Sequence, residues 1–250
     1  MKFHFTIKGE KYSFNPELYW DISIPINFDG KQPNAFSLPK ASAHPVKTKK
    51  FLGDVLKGGS CNCFSVNFIS HGNGTHTEGI GHIDKKKTSL NKILSNIFIP
   101  CAVITLTPEK RKEDRVITKA LCQNALKKMN FTFLKGLVVR VLPNLEKKKR
   151  MNYSGQNPPY FLVEAVNFLL ECGINHLLID LPSLDQEKDK KLKAHRAFWN
   201  KNPFSTITEM IYVPNQVKDG IYLLNLQIPS FILESAPSRP ILFPIHRNFK

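Results

Sequence analysis

A glycine-rich segment from Ser70 to Ile83 carries three histidines and one carboxylate within fourteen residues. Neutral imidazole and carboxylate oxygen are ligands that suit zinc and similar divalent ions. His76, Glu78 and His82 are separated by even numbers of residues, so in extended chain their side chains share one face. An ordinary turn with surface histidines is the alternative, but the density of imidazole favours a metal site.

The elements around this segment must turn its side chains inward. Cys61–Ser70 has the composition of a strand that leads into it. Four glycines follow, Gly72, Gly74, Gly79 and Gly81, which allow backbone angles closed to other residues and argue against a helix. The sequence therefore predicts a strand followed by an irregular loop of metal ligands.

A second carboxylate, Glu209, lies far along the chain in the mainly apolar segment ITEMIYV. If this segment is a strand, Ile207, Glu209 and Ile211 share one face. An unpaired charge buried between two isoleucines costs several kcal/mol, so such a group is normally paired, protonated or bound to metal. The alternative is an edge strand whose glutamate faces water.

Both regions resemble the cyclase family, which includes the bacterial kynurenine formamidases. The Gly-Thr-His tripeptide that ends at His76, with a carboxylate two residues later and a histidine six residues later, is similar to the family signature HxGTHxDxxxH. The segment His176–Asp185 resembles the family strand that ends in an Asp-x-Pro-Ser turn. It is followed by a Lys-rich helix with His195 and then by Glu209. Order and approximate spacing agree from about residue 60 to the C-terminus.

The resemblance implies a set of site residues and a fold. Metal ligands would be His76, Glu78, His195 and Glu209, with His82 as the catalytic acid/base. The ion would be zinc, or alternatively manganese, with one or two ions per chain. The implied fold is α/β, a swivelling β/β/α domain with a mixed sheet or partly closed barrel and flanking helices.

This chain departs from the family pattern at two positions. The family has aspartate where this chain has Glu78, and the extra methylene could weaken or remove one metal of a two-metal site. The family's first histidine lies where this chain has Gly72. His71 is one residue earlier and could serve as a ligand if the loop bulges, and a surface histidine is the alternative.

Apolar patterning predicts alternating helices and strands in one domain of residues 1–250, with an α/β arrangement around a mixed sheet. Strands are predicted over Lys2–Lys8, Asp21–Phe28, Ile97–Thr107, Gly136–Leu142, His176–Leu181 and Gly220–Ile228. Helices are predicted over Thr88–Leu94, Val116–Met129 and Tyr160–Gly173, and around His195.

The formal net charge of +16 comes from 36 basic and 20 acidic residues, and the site motifs do not account for it. Basic clusters could grip phosphate groups, which makes a nucleic-acid-associated protein one alternative. The clusters are scattered, however, and lack interleaved aromatic residues or a known nucleic-acid-binding motif, so a solvated basic surface is favoured. The loop Lys147–Tyr160 is expected to be an ordinary loop, or alternatively to line a pocket mouth.

Cysteine use and hydropathy bound the cellular setting. Five cysteines show no CxxC pair and are expected to be buried free thiols, while metal binding by Cys61 and Cys63 is disfavoured. No apolar run is long enough to span a bilayer and the N-terminus alternates like a strand, so a cytoplasmic protein is expected.

The leading hypothesis is a metal-dependent hydrolase of a small amide, formamide or cyclic amide. The ion would polarise the substrate carbonyl and lower the pKa of bound water, and His82 would transfer the proton to the leaving nitrogen. N-formylkynurenine is the substrate that the resemblance suggests. The first alternative is a binding protein of the same fold without turnover. A homodimer is expected, because dimers are usual in the family and symmetric dimers are common.

Overall fold

The computed structural model describes residues 1–127, 129 and 133–247. The strands are β1 Phe3–Ile7, β2 Glu10–Phe14, β3 Trp20–Asp21, β4 Ser42–Pro45, β5 Phe64–Asn67, β6 His76–Glu78, β7 Phe98–Leu106, β8 Glu109–Arg111, β9 Asp114–Ile117, β10 Gly136–Val141, β11 Tyr160–Phe161, β12 His176–Ile179, β13 Thr206–Glu209, β14 Gly220–Asn225, β15 Ser235–Pro237, β16 Ile241–Pro244 and β17 His246–Arg247. The helices are α1 Lys119–Leu126, α2 Val163–Glu171 and α3 Lys193–Lys201. Four short 3-10 turns cover Val55–Lys57, Ile80–His82, Leu90–Lys92 and Glu146–Arg150.

A mixed nine-stranded sheet, curled into a half-barrel, forms the centre of the molecule, with strand order β15-β6-β13-β12-β10-β7-β14-β16-β3. The four inner strands β7, β10, β12 and β13 run parallel, while β6, β15, β14, β16 and β3 pair antiparallel. Every residue of β10 and β12 is buried. Their sequences are apolar except for Arg140 and His176, and nearly continuous apolar strands are typical of a parallel sheet covered on both faces.

Side-chain alternation along β10 divides the core into two layers. Leu137 and Val139 pack in the cluster that also contains Leu126 of α1, Leu169 of α2 and Trp199 of α3. Val138, between them in sequence, packs in the opposite cluster with residues of β7 and β14. The three helices therefore cover one face of the sheet. The α/β fold with a mixed, partly closed sheet and flanking helices is confirmed.

The inner strands and the helix around His195 are confirmed, but several predicted bounds are wrong. The strand predicted over Asp21–Phe28 ends at Asp21, because the amide of Ile24 donates to Thr75 Oγ1 and Pro25 has no amide hydrogen. The helix predicted from Tyr160 begins at Val163, since Tyr160 and Phe161 pair with β9.

The remaining corrections concern short segments. Thr88–Leu94 contains a 3-10 turn over Leu90–Lys92 in place of a helix. The strand predicted over Cys61–Ser70 is confined to Phe64–Asn67. The helix predicted over Val116–Met129 spans Lys119–Leu126, because Val116 and Ile117 belong to β9, and Lys128 lies outside the described residues.

The expectation of buried thiols is wrong for two of the five cysteines. Cys101 and Cys122 are buried and Cys172 is half-buried, but Cys61 and Cys63 are exposed. The physical reason is that both precede the short β5, whose four residues are themselves exposed. Within the described part of the chain, no helix has the length and apolar character needed to cross a membrane.

Candidate metal centre

The pairing of β6 with β13 brings the two halves of the site together. The antiparallel register sets His76 directly opposite Glu209 and Glu78 opposite Ile207. Directly opposed residues point to the same side of a sheet, as do residues two apart along a strand. His76, Glu78 and Glu209 therefore share one face, and all three are at most 3% exposed. The distance from His76 Nε2 to Glu209 Oε2 is 3.5 Å.

Glu78 lies at the centre of the cluster. Its Oε1 is 3.0 Å from His195 Nε2, and its Oε2 is 3.0 Å from His71 Nδ1. The Nδ1 atom of His82 is 3.8 Å from the same Oε2. Neither carboxylate oxygen has a partner with hydrogen-bond geometry among the described residues, despite these short distances. Nitrogen and oxygen atoms that come this close without aligned hydrogen atoms have the arrangement of ligands around a shared cation.

His195 enters the cluster from the first turns of α3, where Asp185 orients it. Asp185 Oδ2 lies 2.6 Å from His195 Nδ1, and the two carboxylate oxygens of Asp185 accept hydrogen bonds from the amides of Ala194 and His195. Because the partner is a carboxylate, Nδ1 carries the hydrogen and Nε2 points at Glu78 and Glu209, at 3.0 and 3.5 Å. This arrangement of carboxylate and histidine is the one that fixes the tautomer of metal-binding histidines.

His71 also belongs to the cluster. Its Nδ1 faces Glu78 and its Nε2 lies 3.3 Å from Glu234 Oε1, in the segment before β15. Only 20% of its side chain is exposed, so the alternative of a surface histidine is not what the structure has. Glu234 and Asp185 have the same role for their histidines. Each places a carboxylate oxygen beside the ring nitrogen that faces away from Glu78.

His76 and Glu78 lie on β6 but His82 follows on the 3-10 turn Ile80–His82, so the shared face that extended chain would give does not include His82. Its ring lies 4.2 Å from the ring of His71 and 5.7 Å from that of His195, measured between centroids. Its side chain is 26% exposed and lines a cavity of about 440 Å³ together with His71, His195 and Glu209. His82 is thus the most accessible imidazole of the cluster.

Close contacts shift the pKa values of the cluster in opposite directions. Burial alone would raise the pKa of Glu78, but His195 and His71 outweigh it and hold that pKa well below its usual range. Burial alone would lower the pKa of His71, yet the Glu78 carboxylate raises it to about 9. Burial lowers the pKa of His82, and the positive charges of His71 and His195 act in the same direction.

The donor set fits a divalent cation. His76 Nε2 and both oxygens of Glu78 are buried and lack hydrogen-bond partners among the described residues, which is costly without a compensating charge. Two groups of side chains offer ligand atoms that all lie within 4.8 Å of one another: His71, His76 and Glu78, and Glu78, His82 and His195. Imidazole nitrogen and carboxylate oxygen suit zinc and manganese. Because Glu78 belongs to both groups, the cluster could hold one or two ions.

Sequence reasoning missed the residues that orient this cluster. Asp185 was expected only as part of the strand and turn that resemble the family, and Glu234 was not singled out. The amide of Leu184, which donates to Glu209 Oε1 at 3.0 Å, gives no sequence signal at all. Asp185 gives no capping signal either, since it lies eight residues before α3 begins at Lys193 and reaches the first amides of the helix only through the folded loop.

Comparisons with known proteins give one family and a set of similar structures. The Cyclase family model matches residues 20–186, a range that includes Glu78 and Asp185 but ends before His195. No curated protein matches the sequence significantly.

Three similar structures cover nearly the whole fold. An isatin hydrolase bound to the product analogue thioisatinate has a TM-score of 0.67 at 13% identity, covering 90% of this chain and 92% of that one. Isatin hydrolase A from Labrenzia aggregata, bound to benzyl benzoate, has a TM-score of 0.65 at 13% identity, covering 90% and 93%. A predicted metal-dependent hydrolase from Bacillus stearothermophilus has a TM-score of 0.61 at 15% identity, covering 90% and 98%. At these identities the likeness establishes the fold.

Proposed function

The chain belongs to the cyclase family, and from this premise and the geometry of its candidate metal centre we propose that it is a metal-dependent hydrolase of a small amide, formamide or cyclic amide. The observation that carries the proposal is the convergence of His76, Glu78, His195 and Glu209 from three distant segments, with contacts of 3.0 to 3.5 Å. His71 completes the donor set in place of the histidine that the family has two residues before its Gly-Thr-His.

A divalent ion held by these side chains would supply positive charge that polarises a carbonyl and lowers the pKa of water near it. Asp185 fixes the tautomer of His195, and the amide of Leu184 holds one oxygen of Glu209. The metal ligands are thus positioned before substrate arrives, which avoids a reorganisation cost during the reaction.

His82 is proposed as the acid/base because it faces the cavity from the edge of the cluster. Its imidazole would accept a proton from the attacking water as the water oxygen bonds to the carbonyl carbon. It would then give that proton to the nitrogen as the carbon–nitrogen bond breaks, releasing an amine and a carboxylic acid, whose remaining proton is lost to solvent. His82 also lies near Glu78 and His195, so metal content must be measured beside activity to separate this role from that of a ligand.

The cavity favours a small substrate with a flat apolar part. Its volume is about 440 Å³, and Phe36 and Leu192 give it apolar wall. Two of the similar structures are isatin hydrolases, and isatin contains a cyclic amide fused to an aromatic ring. Aryl formamides and cyclic aryl amides are therefore the substrates we propose to test first, with N-formylkynurenine among them.

The test is hydrolysis by purified protein loaded with zinc or manganese, measured against aryl formamides, isatin and simple lactones. We expect turnover that falls about 10²- to 10⁴-fold in His82→Ala while the bound metal is retained. His44→Ala, which changes an exposed histidine on β4, serves as the matched control and should keep full activity.

Unchanged activity in His82→Ala would remove that residue from the mechanism. A chain that holds metal tightly but hydrolyses no member of the panel would overturn the enzyme and favour the non-catalytic binding protein. We further propose that residues 1–250 act as one domain and that two copies form a homodimer, which light scattering during size-exclusion chromatography would measure.

A further inference from the structure

A second cavity lies beside the carboxyl ends of two inner strands, apart from the candidate metal centre. We name it the basic pocket. It is lined by Val141, the last residue of β10, and by Leu181, which follows β12. The segment Leu142–Pro159 supplies most of the other lining residues. Its volume is about 240 Å³. In open α/β sheets, ligands bind preferentially at this end of the strands.

Two buried polar side chains line the basic pocket with unused hydrogen-bonding capacity. Tyr153 is 5% exposed, and its hydroxyl makes no hydrogen bond among the residues that the structure describes, but its oxygen is not among the fully enclosed atoms without a partner. Lys148 is 9% exposed and donates to Val141 O at 2.5 Å and to Asp180 Oδ2 at 2.7 Å. An ammonium group has three donors, so one remains. A hydroxyl and an ammonium group that line one cavity and each keep a free donor can both donate to a single anionic group of a ligand.

The charge of the wall selects the ligand. Arg115, Lys147 and Lys148 line the basic pocket, and no aspartate or glutamate of the described part of the chain does. Lys148 is paired with Asp180, whereas Lys147 has no ion pair among the described residues, and one nitrogen of Arg115 donates only to a backbone carbonyl. By contrast, the lining of the metal-centre cavity mixes three carboxylates, Glu187, Asp189 and Glu209, with Lys190 and three histidines.

The two cavities are neighbours but do not merge. Between them lies a void of about 10 Å³, bordered by Tyr153 and Pro158 of the basic pocket and by Phe36 and Ser183 of the metal-centre cavity. That volume is at the lower limit for one water molecule. A ligand in the basic pocket would thus sit in a compartment of its own, behind Tyr153.

We propose that the basic pocket binds a small organic anion that consists of a flat apolar body and one carboxylate or phosphate group. The anionic group would accept hydrogen bonds from the Tyr153 hydroxyl and the free donor of Lys148, with Lys147 and Arg115 at the mouth. The apolar body would contact Leu142, Leu145 and Met151. An apolar cavity of about 150 Å³ holds benzene, so 240 Å³ has room for one ring and an anionic group.

The experiment is titration calorimetry of the metal-loaded full chain with benzoate, phenyl phosphate and, as the uncharged control, benzyl alcohol. We expect at least one of the two anions to bind and the alcohol not to bind. The anion with the higher affinity shows whether the pocket prefers a carboxylate or a phosphate group. Tyr153→Phe removes one hydroxyl that makes no hydrogen bond within residues 1–127, 129 and 133–247 and should weaken binding roughly five- to tenfold. Leu145→Trp should abolish binding by filling the pocket from a wall residue that is 46% exposed.

Three controls separate this site from others. Lys147→Ala should weaken binding, while Lys92→Ala, at an exposed lysine of another 3-10 turn, should leave it within about twofold. His82→Ala, which alters the metal-centre cavity, should also leave it within about twofold. Absence of binding up to about 10 mM overturns the proposal, since that is weaker than a site of this kind should bind. If His82→Ala lowered the affinity for the anion and Tyr153→Phe did not, the anion would be assigned to the metal centre. That result would also overturn the proposal.

Discussion

Asp185 offers the sharpest test of how the candidate metal centre is organised, because one substitution removes its orienting bond. In Asp185→Asn, the oxygen that faces Ala194 can remain an acceptor, so the N-terminus of α3 keeps that hydrogen bond of 2.7 Å. The other oxygen becomes an amide nitrogen, which can accept neither the hydrogen of His195 Nδ1 from 2.6 Å away nor the backbone amide hydrogen of His195 from 3.1 Å away. His195 would then favour the tautomer with its hydrogen on Nε2, the atom that points at Glu78.

The magnitude follows from the role of that bond. Loss of a partner that orients a metal-binding histidine typically lowers metal affinity 10- to 100-fold. At 1.4 kcal/mol per factor of ten, this corresponds to about 1.4 to 2.8 kcal/mol of binding free energy. We expect a loss of zinc affinity within this 10- to 100-fold range, because His195 is 2% exposed and water cannot replace the lost partner.

The assay is competition for zinc against a chelator of known affinity, with thermal unfolding to show that each variant is folded. Asp189→Asn is the matched control, because Asp189 borders the same cavity and accepts the amide of Lys191, but does not contact His195. The control should keep its affinity within about twofold. Equal affinities in Asp185→Asn and the unsubstituted chain would refute the orienting role and would remove His195 from the proposed ligand set.

Three further outcomes are expected. Burial, together with the nearby charge of Lys135, lowers the pKa of His176 from the ordinary value of 6.5 to about 4. The folded state therefore resists protonation of His176. The stability that the neutral ring contributes is fully present above pH 6.5 and is lost as the pH falls through about 4. Between pH 7 and 5 the unfolding free energy should therefore fall by about 2 kcal/mol more in the unsubstituted chain than in His176→Gln, and equal falls in urea titrations would contradict this. Lys148→Met should lower the unfolding free energy by about 3 to 5 kcal/mol, because it leaves the carboxylate of Asp180, which is 0% exposed, without its charged partner. Adding Asp180→Asn should recover part of that loss in a double-mutant cycle. A loss below about 1 kcal/mol would argue against the importance of the pair. Zinc at 100 times its Kd should raise the unfolding free energy by about 2.7 kcal/mol, chelation should reverse the gain, and His195→Ala should reduce it, whereas an unchanged gain would place the ion elsewhere.

The sequence predicted the residues of the cluster better than their surroundings. Ligand types are local properties, and the resemblance to the cyclase family, carried by the order of the motifs, implied His76, Glu78, His195 and Glu209 as ligands without any structure. The direct opposition of His76 and Glu209 depends on the register of β6 with β13, which no local pattern specifies. The same holds for His71, because only the folded loop decides whether a histidine one residue out of place reaches the cluster.

The basic surface illustrates a second limit. The run Lys147–Arg150 is a cluster of like charges, for which a solvated surface is the ordinary expectation. In the structure this run forms a 3-10 turn, and Lys148 is directed into the core toward Asp180 while its neighbours stay nearer the surface. Asp180 was predicted to lie within the strand His176–Leu181, and nothing local in the sequence linked it to a lysine thirty-two residues earlier.

The central claim is that side chains from β6, α3 and β13 share a divalent cation. The most direct measurement is anomalous diffraction at the zinc absorption edge from crystals of the zinc-loaded chain. We predict a peak within about 2.0 to 2.2 Å of His76 Nε2 or His195 Nε2 and of a carboxylate oxygen of Glu78 or Glu209. A second peak near His71 would make the site binuclear. Zinc-loaded crystals with no peak among these residues, or with zinc bound only elsewhere, would contradict the account.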